Sequence, residues 1–371
     1  MSKIIKKMLT TIATILIAII VLVGSYVIYM SLQYYRIEDM KELEVSNESD
    51  TLIEINKEYT ISTYNIGFGA YSRDFSFFMD TGYLDGKKIT GKSAKAKDKN
   101  EVLKNTNGAI SIIENFNPDI MFFQEVDTKS TRSHKVNQKE MIEDAFKNYS
   151  TSYAVNFHSA YLFYPIFDNH GTVNSGILTL NRFKVNSSTR YKLPIDESFP
   201  TKFFDLDRCF MMERLPIDGS DKELVLINIH MSAYDKGGVY RKKQLALLNS
   251  ILKLEKEQGN YVIVGGDFNH DVADSVGHFE TKQPKPDWVS VINPEDLESG
   301  YRLASSKENP TCRAAEMPYQ EGVNYIVTID GFIISDNVTI ESVDNIVSIN
   351  GTDVNFMYSD HNPVIFKFKL N

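Results

Sequence analysis

The chain has 371 residues, of which 42% are hydrophobic and 24% charged, and its formal net charge is −9. This is the balance of a globular protein with enough length for a large core. The acidic charge gives no support to a protein that holds nucleic acid mainly through a basic surface. Two cysteines, Cys209 and Cys312, are too few for a disulfide framework, which leaves either one bridge or two buried thiols.

The N-terminal segment between Lys7 and Arg36 contains no charged residue. Crossing a bilayer takes about 20 apolar residues, so residues 8–32 are predicted to form a transmembrane helix. Lysines precede this segment and mostly acidic residues follow it. The positive-inside rule then places residues 1–7 in the cytoplasm and the remainder of a single-pass cell-membrane protein outside.

A cleaved signal peptide is the alternative for the same segment. Signal peptides carry an apolar region of about 7–15 residues and a cleavage site between small residues. The apolar run here is longer, and the best available site is the weak "VGS" at 23–25. An anchor that stays in place is therefore preferred, although a secreted form released near 24–31 stays open.

After the anchor, residues 33–57 are interpreted as a polar, acidic stalk, and residues 58–371 as one catalytic domain. Short, nearly continuous apolar runs alternate with amphipathic stretches, as in strands covered on both faces and helices packed on them. Strands are predicted at 59–66, 119–126, 175–181, 223–231, 261–268, 329–335 and 363–370. Helices are predicted at 99–116, 138–149 and 239–259.

Two loop-like segments have both a simple and a functional interpretation. The basic stretch 85–100 is interpreted as a solvated loop, with an anion-attracting rim as the alternative. The segment 73–83 contains Phe75, Phe77, Phe78 and Met79. Packing inside the domain is the preferred explanation for these side chains, and contact with lipid is the alternative.

Polar side chains stand at or beside the ends of many predicted strands. If the strands lie side by side, these residues converge on one cleft, where α/β sheets usually bind ligands. They are Asn65, Glu125, His230, Asp267, Asn269, Asp330, Asp360 and His361.

This set is rich in carboxylates and contains two histidines but no cysteine. Hard oxygen ligands suit Mg²⁺, with Mn²⁺ or Ca²⁺ as alternatives, and the spacing of a zinc site is missing. The sequence has no G-x-S-x-G elbow and no phosphate-binding G-x-x-x-x-G-K loop. A serine esterase or an ATP-driven mechanism is therefore not indicated.

The motifs "TYNIG", "PDIMFFQEVD", "NIHMSAYDKGG", "GGDFN", "TIDGF" and "SDHNPV" follow one another in the chain. In this order they resemble the endonuclease/exonuclease/phosphatase superfamily over about residues 59–370. The resemblance implies an α+β fold, a four-layer α/β/β/α sandwich of the deoxyribonuclease I type. It also implies metal-dependent hydrolysis of phosphate esters.

The resemblance further assigns roles to residues of this sequence. Glu125 would be the principal metal ligand, with Asn65 and Asp360 completing the metal site. His230, Asn269 and His361 would contact the phosphate, and Asp330 would orient a catalytic histidine. Asp267 would act on the attacking water or on the leaving oxygen, and both versions stay open.

Further expectations concern the loops around this set. Asn174 and Arg241 are predicted to bind substrate, although Arg241 could equally lie on a solvated helix face. Gly265 and Gly266 are expected to let the phosphate approach the backbone closely. Thr328 and Ile329 precede Asp330 where nuclease members often carry an arginine, which weakens a nuclease interpretation.

The sequence therefore predicts a membrane-tethered, Mg²⁺-dependent hydrolase of phosphate esters with its catalytic domain outside the cell. Its partners would be a lipid, small-molecule or nucleic-acid phosphate ester and the membrane, with no obligate protein partner. An extracellular nuclease of the same fold is one alternative. A catalytically silent binding module is the other, although Glu125, Asp267 and His361 are all present.

Overall fold

The computed structural model describes residues 2–233 and 235–371. These residues form four α-helices, which are α1 (Lys3–Gln33), α2 (Lys99–Glu114), α3 (Gln138–Ala145) and α4 (Val239–Gln258). Side-chain oxygens of Asp98 and Asn137 cap the N-termini of α2 and α3, and Gly259 ends α4 in a left-handed conformation. The three predicted helices of the domain are confirmed, each ending one to four residues earlier than predicted.

The same residues form twenty strands, many of them short. In chain order they are β1 (Lys41–Glu42), β2 (Val45–Ser46), β3 (Glu58–Asn65), β4 (Thr81–Leu84), β5 (Lys87–Thr90), β6 (Ile120–Asp127), β7 (Ser150–Leu162), β8 (Gly171–Asn181), β9 (Ser187–Lys192), β10 (Cys209–Pro216), β11 (Glu223–His230), β12 (Tyr261–Asp267), β13 (Tyr301–Ala304), β14 (Cys312–Arg313), β15 (Ile326–Val327), β16 (Asp330–Ser335), β17 (Val338–Asn345), β18 (Ser348–Ile349), β19 (Thr352–Asp353) and β20 (Val364–Leu370).

Two seven-stranded sheets dominate the domain. The first has the order β1-β9-β10-β11-β12-β16-β13, and the second the order β17-β20-β3-β6-β8-β7-β2. Within them β11–β12 and β3–β6 pair in parallel, and the other neighbours pair antiparallel. The predicted α+β class and its four-layer α/β/β/α sandwich are confirmed.

Three apolar clusters hold these layers together. Phe122, Phe332 and Phe366 belong to the cluster between the two sheets. A second cluster packs α2 and α3 on the outer face of the second sheet, and a third packs α4 on the first sheet. Both sheets are therefore covered on two faces, which explains their nearly continuous apolar runs.

A polar contact also crosses the space between the sheets. Gln124 of the second sheet donates from Nε2 to Asn228 Oδ1 of the first sheet over 2.8 Å, and to Thr63 Oγ1 over 3.1 Å. Asn228 in turn donates to the carbonyl of Leu178 in the second sheet over 3.1 Å. Both amides are fully buried, so a shift of the sheets would break the bond from Gln124 to Asn228 and the bonds from Asn228 to the second sheet.

All seven predicted strands are confirmed, but several others were not predicted. The missed strands include β7, β9, β10, β13 and β17. These strands contain both polar and apolar residues, and β10 even buries Glu213, which follows four buried residues, Cys209 to Met212. Polar residues inside a strand hide the period of two on which a sequence-based prediction depends.

Residues 33–57 differ from the polar stalk that their composition suggests. β1 pairs with β9 of the first sheet, β2 pairs with β7 of the second, and Ile53 is fully buried in the core between them. A few apolar side chains and two short edge pairings suffice to pack this acidic segment along the domain.

Helix α1 is long and apolar enough to cross a bilayer, and none of its most apolar 18-residue stretch is buried inside the domain. Its C-terminal end contacts the domain. Met30 is buried against Leu162 and Phe203, and Tyr26 donates to the carbonyl of Tyr161 over 3.1 Å. Arg36, just beyond the helix, pairs with buried Asp207 at 2.8 Å.

The glycines of "GGDFN" serve packing between protein groups and not the approach of a phosphate. A Cβ on Gly265 would lie 2.5 Å from the Phe332 ring between the sheets. Gly266 has φ +147°, and a Cβ there would lie 1.9 Å from the carbonyl oxygen of Ile229 on β11. The two glycines therefore let three strands pack closely directly before Asp267.

We expect Gly266→Ala to lower the free energy of unfolding by about 3 kcal/mol or more, because a backbone clash and an unfavourable φ combine. Gly219 also has a positive φ (+70°) but faces open space. Gly219→Ala is the matched control and costs about 1 kcal/mol. Chemical unfolding of the full-length protein in detergent, followed by circular dichroism, measures both. Equal losses would contradict the packing argument.

Glu213 on β10 is 1% exposed, and its Oε2 accepts a hydrogen bond from Asn181 Nδ2 over 2.8 Å. Burial raises its pKa from an ordinary value of 4.5 to about 7, against the opposing effect of Ser152 and Asn181. The folded protein therefore binds this proton more tightly than the unfolded chain. Between these two pH values its stability falls as the pH rises.

Glu213→Gln should remove this fall, because the amide does not titrate. Relative to wild type, the variant gains about 3 kcal/mol of stability as the pH rises from below 4.5 to above 7. Unfolding curves at several pH values measure the gain, with Glu308→Gln as the exposed control. Parallel pH dependences for Glu213→Gln and wild type would show that Glu213 is not protonated by burial.

Candidate active site

Strand register brings three polar side chains together at one end of the first sheet. His230 on β11 is the partner of Asp267 on β12, and Asp267 is the partner of Asp330 on β16. All three side chains are at most 2% exposed. His230 Nε2 lies 3.4 Å from Asp267 Oδ2.

The second sheet contributes Asn65, which ends β3 beside Gln124 of β6. Its Nδ2 lies 2.9 Å from Asp267 Oδ2, 3.4 Å from Glu125 Oε1 and 3.5 Å from His361 Nε2. Its Oδ1 accepts the backbone N–H of Gly67 over 3.0 Å. In this structure the amide turns its Nδ2 toward Glu125, Asp267 and His361, and its place in the metal site stays a prediction.

His361, in the loop before β20, joins the two carboxylates of the first sheet. Its Nδ1 lies 2.8 Å from Asp330 Oδ2, and its Nε2 lies 3.7 Å from Asp267 Oδ2. Burial alone would lower the pKa of His361, but Asp330, Cys312 and Asp267 raise it well above its ordinary value. The neighbouring carboxylates therefore favour the charged form of the imidazole.

His230 has the opposite electrostatic setting. Burial lowers its pKa well below the ordinary value, and the positive charges of Arg208, His361 and Arg132 add to this effect. Burial also raises the pKa of Asp267, against the opposing charge of His361. The site thus favours the neutral form of His230 and the charged form of His361, both next to Asp267, an arrangement suited to proton transfer.

Glu125 and Asp360 are only partly buried and lie on the accessible side of this cluster. Glu125 sits at a register shift between β6 and β8 and adopts a left-handed conformation with φ +55°. Such conformations are costly for a residue with a side chain and are typical of functional sites. Burial raises the pKa of Asp360 to about 6, and Glu125 contributes to this shift while His361 and Arg313 oppose it.

These donors fit a divalent cation. Glu125 and Asp360 supply hard oxygens, the charge of Glu125 raises the pKa of Asp360, and a cation would relieve this repulsion. Ligand atoms of Asp267, Asp330 and His361 also lie within 4.8 Å of one another. Asp330 Oδ1 is buried without a hydrogen-bond partner in the described part of the chain. The site therefore has unsatisfied anionic oxygens of the kind that a metal ion binds.

Asn269 follows Asp267 with φ +49° and donates its backbone N–H to Asp267 Oδ1 over 2.8 Å. The side chain of Arg241 stabilises this turn by hydrogen bonds. Its Nη1 donates to the carbonyls of Asn269 and Trp288, each over 2.7 Å, and the residue is 1% exposed. Arg241 therefore does not lie on a solvated helix face but is buried against the turn that carries Asn269, and its predicted contact with substrate stays a prediction.

Asn174 lies apart from the cluster. It stands on β8 opposite His158 of β7 and lines a cavity of about 530 Å³ between these strands and the segment 35–43. Its backbone carbonyl accepts bonds from Thr128 and Ser130. Of the other nine predicted site residues, eight are brought together and Arg241 lies buried against the Asn269 turn, so Asn174 is the one that stands apart.

Sequence reasoning missed residues that hold the cluster in place. Thr311 Oγ1 accepts the backbone N–H groups of Ile329 and Asp330, and Ser359 Oγ donates to the carbonyl of Asn65 over 2.7 Å. Ser359 belongs to the quoted motif "SDHNPV", so it was visible beside His361. Thr311 had no such signal, because it meets Asp330 only through the fold.

Solved structures support the fold. TDP2 from Caenorhabditis elegans is 16% identical with a TM-score of 0.51, covering 84% of this chain and 98% of that one. An endonuclease/exonuclease/phosphatase from Beutenbergia cavernae DSM 12333 is 14% identical with a TM-score of 0.54, covering 85% and 72%. ANGEL2, a 2′,3′-cyclic phosphatase, is 12% identical with a TM-score of 0.53, covering 90% and 99%.

No curated protein matches this sequence. The family model described as "Endonuclease/Exonuclease/phosphatase family" matches residues 63–361. This range runs from β3 to His361 and so includes every polar residue of the cluster. The chain belongs to the endonuclease/exonuclease/phosphatase family.

Proposed function

We propose that this protein is a membrane-tethered, Mg²⁺-dependent hydrolase of phosphate esters. The observation that carries the proposal is the buried cluster in which His361 bridges Asp330 and Asp267 while Asn65 and His230 also contact Asp267. Such a set can stabilise negative charge on a phosphoryl group and accept a proton from water.

Glu125 and Asp360 are the residues proposed to hold the metal ion. When bound, Mg²⁺ supplies positive charge that neutralises phosphate oxygens and lowers the pKa of water. Mn²⁺ and Ca²⁺ fit the same oxygen donors with different geometry. Asn65, whose Nδ2 points toward Glu125, is assigned to the phosphate or to orienting Asp267.

The other residues act on the phosphate and on the proton. The charged imidazole of His361 donates to a phosphate oxygen, while Asp330 holds the ring from its other nitrogen. Asp267, with its raised pKa, takes up the proton of the attacking water. Asn269, held by Arg241, and the neutral His230 complete the donors around the phosphate.

The membrane part of the proposal is supported by α1. Its length and composition suit one span, and Lys3, Lys6 and Lys7 at its N-terminal end favour a cytoplasmic N-terminus. The catalytic domain would then lie outside the cell. Activity itself requires no protein partner in this proposal.

Glu125→Gln should reduce hydrolysis of bis(p-nitrophenyl) phosphate by about 100-fold or more, because a neutral amide binds the cation weakly. The measurement is initial rate against Mg²⁺ concentration for the full-length protein in detergent, together with calorimetric Mg²⁺ binding. Glu114→Gln, an exposed site on α2, is the control. An unchanged rate and unchanged Mg²⁺ binding in Glu125→Gln would contradict the assignment of Glu125 as a metal ligand.

Asp330→Asn should lower kcat by about 100-fold or more with little change in KM, because Asp330 orients His361 and stabilises its charge. Loss of the carboxylate lowers the pKa of His361. The variant therefore loses its residual activity at a lower pH than wild type on the alkaline side. A pH profile of kcat tests this shift, with exposed Asp336→Asn as the control.

A further inference from the structure

Large apolar side chains are exposed on two loops next to α1. Exposed apolar patches of this kind usually mark a surface that contacts another protein or a lipid. The residues and their exposed fractions are Phe163 55%, Tyr164 70%, Ile166 74%, Phe167 101%, Phe199 65% and Phe204 47%. We call these six residues the aromatic cap.

Both loops of the aromatic cap contact the C-terminal end of α1. The rings of Tyr26 and Phe163 meet edge to face at 5.4 Å, and those of Tyr34 and Phe203 do so at 5.6 Å. Phe203 in turn contacts Phe199 at 5.8 Å. The exposed side chains therefore surround the point at which the apolar helix meets the domain.

Polar contacts fix the helix at this point. Tyr29 accepts the backbone N–H of Tyr161, while Tyr26 donates to the carbonyl of the same residue, each over 3.1 Å. The Arg36–Asp207 ion pair secures the chain directly after the helix. A membrane that contains α1 therefore meets the domain at the aromatic cap.

We propose that the aromatic cap inserts into the lipid–water interface of the bilayer and holds the domain there in one orientation. This inference rests on the proposed insertion of α1. Aromatic side chains favour the membrane interface, and nearby lysines suit lipid headgroups. Lys202 Nζ lies 4.8 Å from the Tyr34 ring, and Lys95 pairs with Asp168 at 3.1 Å, at the base of the 163–167 loop.

The same contact sets the direction of the active site. In the second sheet Asp127 of β6 lies two residues beyond Glu125 and pairs with Ser175 of β8. Ser175 in turn pairs with Phe157 of β7. The hairpin of β7 and β8 continues beyond this level to the aromatic cap at 163–167. The end of the sandwich that carries the site therefore faces the bilayer, which favours phosphate esters presented at the membrane surface.

Tryptophan fluorescence in vesicles tests the proposal without any measurement of activity. The full-length chain carries Trp288→Phe, which keeps the backbone carbonyl bonded by Arg241, plus one new tryptophan. Phe167→Trp and Phe199→Trp probe the two loops. Ile340→Trp is the control, because Ile340 is 37% exposed and pairs with Phe368 at the opposite end of the sandwich. The vesicles contain phosphatidylcholine and phosphatidylglycerol with or without brominated acyl chains.

Bromine should quench both cap tryptophans several-fold more than the control and leave their emission blue-shifted. Quenching of either cap position no greater than that of Ile340→Trp overturns the proposal. Resistance of the protein to alkaline carbonate extraction is measured in parallel. Extraction by carbonate overturns the anchor and this proposal together, whereas carbonate resistance without quenching overturns this proposal alone.

Discussion

The buried hydrogen bond between Gln124 and Asn228 connects the two sheets directly beneath the active site. Asn65 lies beside Gln124 in one sheet, and His230 lies two residues beyond Asn228 in the other. A sliding movement of the sheets would break this bond and those of Asn228 to the second sheet in an apolar interior, at a cost that far exceeds that of a surface contact. The 2.9 Å distance between Asn65 and Asp267 follows from this alignment.

The site also depends on two backbone conformations that strands do not adopt. Glu125 within β6 and Asn269 directly after β12 both have a positive φ, so neither side chain follows the alternation of a strand. Packing around them supplies the energy that keeps them there. Fully buried Arg241 is one source, since it bonds the carbonyl of Asn269. Buried contacts such as this one therefore offset the cost of the positive φ angles.

Much of this architecture is predictable from the sequence, and the failures have physical causes. Apolar runs that end in Asn65, His230 and Asp267 predict the strands and their convergence, because a sheet covered on both faces leaves that pattern. The burial of Arg241 is not predictable, since a charged residue on an amphipathic helix is normally solvated, and its partner carbonyl at Trp288 is distant in sequence. Glu213 breaks the apolar pattern of β10 in the same way.

The segment 33–57 packs along both sheets and therefore does not act as a flexible linker between α1 and the domain. A flexible linker of this length would have an end-to-end distance of about 25–30 Å, and the domain could move over that range. Here the height of the catalytic cleft above the end of α1 is a fixed property of the fold. Such an enzyme would search in two dimensions, and its turnover would follow the surface density of its substrate and not the bulk concentration.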